Sequence, residues 1–240
     1  MKKRNKRRLW LIPLVLLAAL ALAFGAYVSD YYRASEGALA ILTSTDGPVR
    51  VSDAGDVVAL EHPEARAGLV FYPGGKVQAE AYLPLLKLVA GEGIDCYLVR
   101  MPFNLALFGQ DRAASVMAAY PHDRWFLAGH SLGGAMAAGW AAKHPGTLEG
   151  LALLAAYPIS ELPEGLKVLT LYGSEDGVLN RGRLEKAAQY LPEGAVTKVL
   201  PGGNHAQFGD YGAQKGDGEA TISPEAQWAW TVEKIMEMIG

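Results

Sequence analysis

The chain has 240 residues, a formal net charge of −3, one cysteine and an apolar fraction of 50%. This length suits one compact α/β domain or two small domains, and a single cysteine excludes both an intramolecular disulfide framework and a cysteine-rich metal site. Six of the 22 basic residues fall within residues 1–8, which leaves 16 basic against 25 acidic residues, a charge of −9, for residues 9–240. A duplex nucleic-acid binder would spread its basic residues over a folded face, so no nucleic-acid partner is expected.

Residues 9–28 form an uncharged, apolar run that is interrupted by Pro13 and Gly25. A helix of this length spans about 30 Å, the hydrocarbon thickness of a bilayer. The basic segment 1–8 is expected to stay in the cytoplasm and to send the rest of the chain across the membrane. We favour a retained transmembrane anchor with an extracytoplasmic body; the alternative is a secreted protein whose signal peptide is cleaved near residues 21–23.

After a predicted tether at residues 29–46, short strand patterns alternate with longer amphipathic patterns from residue 47 to residue 240. The continuous apolar run at 68–72 is typical of a strand buried on both faces. The predicted strands are 49–51, 57–60, 68–72, 95–99, 125–128, 151–154, 168–171 and 197–200, and the predicted helices are 78–90, 110–119, 133–143, 183–190 and 224–239. The first two strands are predicted to pair antiparallel. The later alternation predicts an α/β fold, a doubly wound, mostly parallel sheet with helices on both faces.

The sequence Gly129-His130-Ser131-Leu132-Gly133 follows an apolar strand and precedes a helix rich in small residues. The pattern G-x-S-x-G between a strand and a helix is typical of a nucleophile elbow, in which the two glycines let a sharp turn pack closely and expose the serine hydroxyl. The alternative is an ordinary glycine-rich turn, which predicts no acid or histidine after the later strands.

An acidic residue and a histidine do follow the later strands. Asp176 lies in the turn after the strand at 168–171, and His205 lies just past the strand at 197–200. Functional groups in open α/β sheets gather beyond the carboxyl ends of the strands, so these side chains can converge on Ser131. The neighbouring Glu175 is an alternative to Asp176, whereas His205 is the one histidine of five with a suitable position.

The motifs G-H-S-L-G-G, G-S-E-D-G-V and G-G-N-H occur in this order and resemble those of the α/β-hydrolase superfamily. The resemblance covers nearly all of residues 47–240, and the compact body is similar to dienelactone-hydrolase-like and small esterase members. It implies that Ser131 is the nucleophile, His205 the general base and acid, and Asp176 the group that orients the imidazole. Many relatives insert a cap domain between the strands predicted at 151–154 and 168–171, and this chain has no room for one.

An oxyanion hole needs two backbone N–H donors, and one is expected from Leu132, the residue after the nucleophile. The second donor is expected from the loop after the strand at 68–72, which reads P-G-G-K. The family commonly has H-G or H-G-G at this place, and the P-G-G of this chain leaves the donor open between Gly75 and Lys76.

The sequence therefore predicts a serine hydrolase that cleaves a small-molecule ester or related carbonyl substrate through an acyl-enzyme intermediate. The alternatives are an acyltransferase or peptidase with the same triad, and a non-catalytic binding protein that retains the fold. Because no H-E-x-x-H, Walker A or G-x-G-x-x-G pattern occurs, no metal and no nucleotide cofactor are expected. The apolar segment 101–108 either contacts an acyl chain or packs over the sheet edge, and segment 206–220 is predicted to be a mobile surface loop.

Overall fold

A computed structural model describes residues 11–240, so the predicted basic segment 1–8 lies outside the described residues. The chain divides into two units, one that ends at Tyr31 and one that spans Tyr32–Gly240. In the first unit, helix α1 (Leu11–Ser29) is long and apolar enough to cross a membrane. Its position near the N-terminus means that a signal sequence meets the same description.

The second unit consists of strands and helices that alternate along the chain. The strands are β1 (Arg50–Asp53), β2 (Val57–Glu61), β3 (Gly68–Tyr72), β4 (Asp95–Val99), β5 (Trp125–His130), β6 (Gly150–Leu154), β7 (Lys167–Gly173) and β8 (Val196–Leu200). The α-helices are α2 (Glu36–Ala40), α3 (Leu83–Gly91), α4 (Arg112–Ala119), α5 (Leu132–Lys143), α6 (Arg181–Ala187) and α7 (Pro224–Ile239).

The eight strands of the second unit form one sheet in the order β1-β2-β4-β3-β5-β6-β7-β8. Strand β2 pairs antiparallel with both β1 and β4, and the other neighbours are parallel. After β4 the chain returns past β3 to β5, so the direction of winding reverses at β3. Tyr72 pairs with Gly129 there, which brings the carboxyl ends of β3 and β5 side by side. Open α/β sheets bind their ligands at such a switch point.

Alternate residues of the central strands enter two separate cores. Leu69 and Phe71 pack in a cluster with the apolar faces of α3 and α7, whereas Val70 and Tyr72 pack in a second cluster with α4 and α5. Because successive side chains of a strand point to opposite faces of the sheet, this division requires helices on both faces. The predicted doubly wound, mostly parallel sheet is therefore confirmed.

One helix begins later than its sequence pattern predicts. Residues 79–82 form a 3₁₀ turn, and the α-helix starts at Leu83 instead of residue 78. Pro84 explains the difference because proline has no N–H to donate and its ring would clash with the carbonyl four residues earlier, at Glu80. In the first turn of a helix the missing N–H has no cost.

Part of the segment predicted as a tether packs on the sheet unit. The Tyr32 N–H donates to the Lys76 carbonyl at 2.8 Å, and the Tyr32 carbonyl accepts the Gln78 N–H at 2.8 Å. The Ser35 side chain accepts the Ala38 N–H and donates to the Asp210 carboxylate. Residues 32–40 therefore belong to the folded unit and contact the loop that follows β3.

Candidate active site

Ser131 occupies the sharp turn between β5 and α5. Its backbone angles are φ 51° and ψ −121°, a conformation that a non-glycine residue adopts only under constraint from its surroundings. The preceding strand is buried throughout, and the Ser131 N–H donates to the Leu154 carbonyl of the neighbouring strand at 2.9 Å. The turn thus holds a half-buried serine hydroxyl at the carboxyl end of the sheet.

The two glycines of the motif permit a close approach of backbone to backbone. A methyl group on Gly133 would overlap the carbonyl oxygens of Tyr72 and Pro73 at the end of β3. A methyl group on Gly129 would lie 2.7 Å from the Gly134 nitrogen. The elbow therefore packs directly against the loop that follows β3, and neither position has room for a side chain.

Asp176 and His205 are paired, and both side chains are buried. The His205 Nδ1–H donates to the Asp176 Oδ2 at 2.9 Å, and the Asp176 Oδ1 accepts the N–H groups of Val178 and Leu179 at 2.9 and 2.7 Å. Glu175 instead accepts the hydroxyl of Ser174 at 2.7 Å and is exposed. The geometry thus favours Asp176 over Glu175 as the partner of the imidazole.

The pairing fixes the tautomer of His205. Because a carboxylate only accepts hydrogen bonds, Nδ1 carries a hydrogen, and the neutral form of the ring therefore has its lone pair on Nε2. Within residues 11–240, the buried Nε2 atom has no hydrogen-bond partner. A neutral imidazole in this state is able to accept a proton from a hydroxyl group.

Ser131 and His205 line the same open cleft, which has a volume of about 510 Å³. The cleft also includes Arg183, from the first turn of α6. Its wall is mostly apolar and comes from α5 and from the loops after β6 and β7: Leu132, Met136, Ala156, Ile159, Val178 and Leu179. Residues 155–166 contain turns and bends only, which agrees with the predicted absence of a cap in this segment.

The candidate oxyanion donors lie next to each other. A methyl group on Gly75 would lie 2.8 Å from the Leu132 side chain, so the loop after β3 meets the first turn of α5. The Leu132 N–H belongs to that first turn, where N–H groups have no acceptor within the helix. The Lys76 N–H donates to the Asn104 carbonyl at 2.7 Å. This hydrogen bond removes Lys76 from the two predicted candidates and leaves Gly75.

His130, the residue before the nucleophile, contacts both Tyr82 and His205. Its Nδ1 is 2.7 Å from the Tyr82 hydroxyl, which also accepts the Gly74 N–H at 3.0 Å, and its ring packs on the His205 ring with centroids 4.5 Å apart. Burial, together with the neighbouring His205, holds the pKa of His130 well below its usual range. His130 is therefore neutral at pH 7.

Sequence reasoning missed Asp217, which accepts four backbone N–H groups. Phe208 and Tyr211 are buried and Phe208 contacts His130, so the segment predicted as a mobile surface loop is packed against the site. The apolar cleft wall comes from the loops after β6 and β7 rather than from residues 101–108. Within residues 11–240, no group of three His, Cys, Asp or Glu side chains is arranged to hold a metal ion.

Comparisons with known proteins agree with this architecture. A family model described as the alpha/beta hydrolase family matches residues 68–229. Among solved structures, the chain is similar to a dienelactone-hydrolase-like protein from Klebsiella pneumoniae, with 17% identity, a TM-score of 0.56, and coverage of 78% of this chain and 98% of the other. The corresponding values for Est1E from Butyrivibrio proteoclasticus are 15%, 0.56, 80% and 99%.

A bacterial membrane phospholipase A is also similar, with 13% identity and a TM-score of 0.56, and the match covers 95% of this chain and 98% of that chain. At these identities the likeness concerns the fold. No curated protein matches the chain.

Proposed function

The chain belongs to the alpha/beta hydrolase family, and from this membership we propose that it is a serine hydrolase acting on an ester or related carbonyl substrate. The observation that carries the proposal is the shared cleft of Ser131 and His205, in which His205 is paired with the buried Asp176. Ser131 is the nucleophile, His205 the general base and acid, and Asp176 holds the imidazole in the required tautomer.

In this mechanism the Ser131 Oγ attacks the carbonyl carbon while the His205 Nε2 takes the hydroxyl proton. The negative charge that develops on the carbonyl oxygen is stabilised by the N–H groups of Leu132 and Gly75. Collapse of the tetrahedral intermediate breaks the bond to the alcohol, which leaves with the proton from His205. Water then attacks the acyl-serine while His205 accepts a proton from it, and His205 returns this proton to the Ser131 Oγ as the bond to the acyl group breaks and the acid is released.

The lining of the cleft supports an ester with an apolar part. Its wall is formed mainly by aliphatic side chains, and Arg183 is its one cationic lining residue in the described chain. Two of the similar structures carry the names of ester hydrolases, a phospholipase A and a dienelactone-hydrolase-like protein. A series of p-nitrophenyl esters of increasing acyl length is expected to give rising kcat/KM until the chain fills the cleft, because each buried methylene contributes about 0.8 kcal/mol.

Labelling with a fluorophosphonate probe tests the nucleophile. The wild-type protein is expected to react at Ser131, and Ser131→Ala is expected to lose labelling and to lose turnover by about 10³-fold or more. Ser160→Ala is the matched control because Ser160 is an exposed serine in the loop after β6. Absence of labelling in folded wild-type protein, or labelling that persists in Ser131→Ala, contradicts the proposal.

Product analysis separates hydrolysis from acyl transfer. The purified enzyme is given an activated ester with water, a short alcohol and an amine as competing acceptors. The free acid is expected as the main product at each acceptor concentration. Formation of the new ester or amide in excess of the acid would instead identify an acyltransferase or a peptidase-like activity with the same triad.

We also propose that residues 9–28 remain attached as a membrane anchor and that the sheet unit lies on the extracytoplasmic side. Support comes from the apolar helix α1 and from the basic residues that precede it in the sequence. Carbonate extraction and N-terminal mapping of the mature protein by mass spectrometry test this proposal. A mature chain that begins near residue 24 and is released into the medium identifies a cleaved signal peptide instead.

A further inference from the structure

The two loops that carry Asp176 and His205 are joined by a second carboxylate, that of Asp217. The Asp217 Oδ1 accepts the Gly177 N–H at 3.1 Å and the His205 N–H at 3.2 Å. The Asp217 Oδ2 accepts the Ala206 N–H at 2.8 Å. One half-buried side chain therefore holds the backbone directly after Asp176 and the backbone of His205 itself.

Asp176 and His205 lie on separate loops whose relative position must be fixed. Asp176 follows β7 and His205 follows β8, so their backbones are fixed by different strands, while the hydrogen bond between their side chains is 2.9 Å long. A small displacement of one loop relative to the other breaks that bond or changes the orientation of the imidazole in the cleft that it shares with Ser131. Misplacement of a catalytic group by about 1 Å costs about 10²-fold in rate.

The segment around Asp217 is seated tightly against the acid loop. A methyl group on Gly218 would overlap the Glu175 carbonyl, and a methyl group on Gly177 would lie 2.6 Å from the Gly216 carbonyl oxygen. The Asn204 side-chain N–H donates to the Gly218 carbonyl at 2.9 Å. The carboxylate is thus presented from a segment that contacts both loops.

We propose that Asp217 is a positioning residue that sets the distance and orientation of the Asp176–His205 pair. The inference rests on the proposed function, because the pair has this role only in a serine hydrolase. Both oxygens are used: Oδ1 accepts an N–H from each loop, and Oδ2 accepts a second N–H from the histidine loop. An asparagine offers one acceptor oxygen, so in either orientation of its amide an N–H group of the histidine loop faces the asparagine N–H groups instead of an acceptor.

The experiment compares Asp217→Asn with Glu219→Gln, which makes the same change of charge at an exposed position two residues away. The first measurement needs no turnover. In the Ser131→Ala background, proton NMR follows the far-downfield resonance of the His205 Nδ1–H that is hydrogen-bonded to Asp176. The resonance is expected to be lost or strongly shifted with Asp217→Asn and to be retained with Glu219→Gln.

The second measurement is ester hydrolysis in the Ser131 enzyme. With Asp217→Asn, kcat is expected to fall by about 10²-fold while KM changes by less than about threefold, because the cleft wall is untouched. Glu219→Gln is expected to keep the wild-type kcat. If circular dichroism shows that Asp217→Asn does not fold, Asp217→Glu is used instead. This variant keeps the carboxylate but moves it by one methylene group. A shifted resonance and a smaller loss of kcat are then expected.

An unshifted resonance together with a wild-type kcat in the folded variant overturns the inference. Failure of the proposed function is recognised separately, by wild-type protein that does not label with the fluorophosphonate probe. The NMR result on the Asp176–His205 hydrogen bond remains informative in that case.

Discussion

The two halves of the candidate site are held together by different kinds of contact. On the nucleophile side, residues 129–134, glycines bring backbone against backbone at the end of β3. On the histidine side, residues 173–179 and 201–206, polar side chains from distant segments hold the loops: Asp217 from the 209–222 loop and Gln227 from α7. Glycines also meet backbone on the histidine side, at Gly173 and Gly177, but this side depends in addition on polar side chains.

The difference predicts a further sensitivity to substitution on the histidine side. An added methyl group damages the nucleophile side because neighbouring backbone cannot move away, and interiors at native packing density tolerate little overpacking. The histidine side is damaged by removal of a hydrogen-bonding group even when volume is conserved, because buried backbone N–H and C=O groups then lose their partners.

The largest effect is expected at Gly133. Gly133→Ala places a methyl group on the carbonyl oxygens of Tyr72 and Pro73, and we expect a loss of about 3 kcal/mol or more in the free energy of unfolding. The matched control is Gly139→Ala on the same helix, where a methyl group meets no atom within 4 Å. That variant is expected to gain about 0.5–1 kcal/mol. Urea unfolding measures both, and equal stability of the two variants would contradict backbone-limited packing at the elbow.

A smaller loss is expected on the histidine side from Gln227→Met, which removes the amide at similar volume. The fully buried Gln227 accepts the Asn204 N–H at 3.1 Å and donates to the Asn204 carbonyl at 2.9 Å. Loss of the amide leaves the N–H and the carbonyl of Asn204 unpaired, and this is expected to cost about 2 kcal/mol in the free energy of unfolding. Each unpaired buried group costs about 1–3 kcal/mol, and hydrogen bonds to water offset part of that cost.

Gln189→Met is the control for this prediction, since Gln189 is exposed and bonds only the Lys186 carbonyl in the described chain. The control is expected to stay within about 0.5 kcal/mol of the wild type. Urea unfolding again provides the measurement. A Gln227→Met protein as stable as its control would show that the histidine side does not depend on this amide.

The same contrast explains which parts of the site can be predicted from sequence patterns. The elbow is local: the strand, the serine and its glycines are contiguous, so the pattern around Ser131 predicts the turn and its position in the sheet. The burial of β3 on both faces follows in the same way from a continuous apolar run. Pro84 delays the start of α3, an effect that periodicity alone does not predict.

The histidine side is non-local and was predicted less completely. Neighbouring Glu175 and Asp176 have the same chemistry, and the hydrogen bonds of the folded loop are what distinguish them. Asp217 lies 12 residues beyond His205 in a segment rich in glycine, and composition predicts a surface loop there. The choice of Gly75 over Lys76 likewise depends on a backbone contact with Asn104, which is distant in sequence.

The smallest effect is expected at His130, the residue through which the two sides touch. It belongs to the elbow, yet its ring packs on His205, and its Nδ1 lies 2.7 Å from the Tyr82 hydroxyl. Because Tyr82 already accepts the Gly74 N–H, its own hydrogen points to Nδ1 and favours neutral His130. Burial, which removes water from a charged ring, and electrostatic repulsion by the nearby His205 both lower the pKa of His130.

The lowered pKa of His130 makes the folded protein less stable as the pH falls. Below about pH 6.5 the unfolded chain binds a proton at His130 that the folded chain does not, so the free energy of unfolding falls as the pH falls, by up to about 1.4 kcal/mol per pH unit. Above pH 6.5 this contribution is fully present and constant. His130→Asn keeps an acceptor toward Tyr82 and cannot titrate, so the stability advantage of the wild type over this variant is expected to shrink between pH 6.5 and 5.5. Urea unfolding across pH 5.5–8 measures that difference, and a difference independent of pH would mean that the ring of His130 is solvated and that the two sides are not joined through a neutral imidazole.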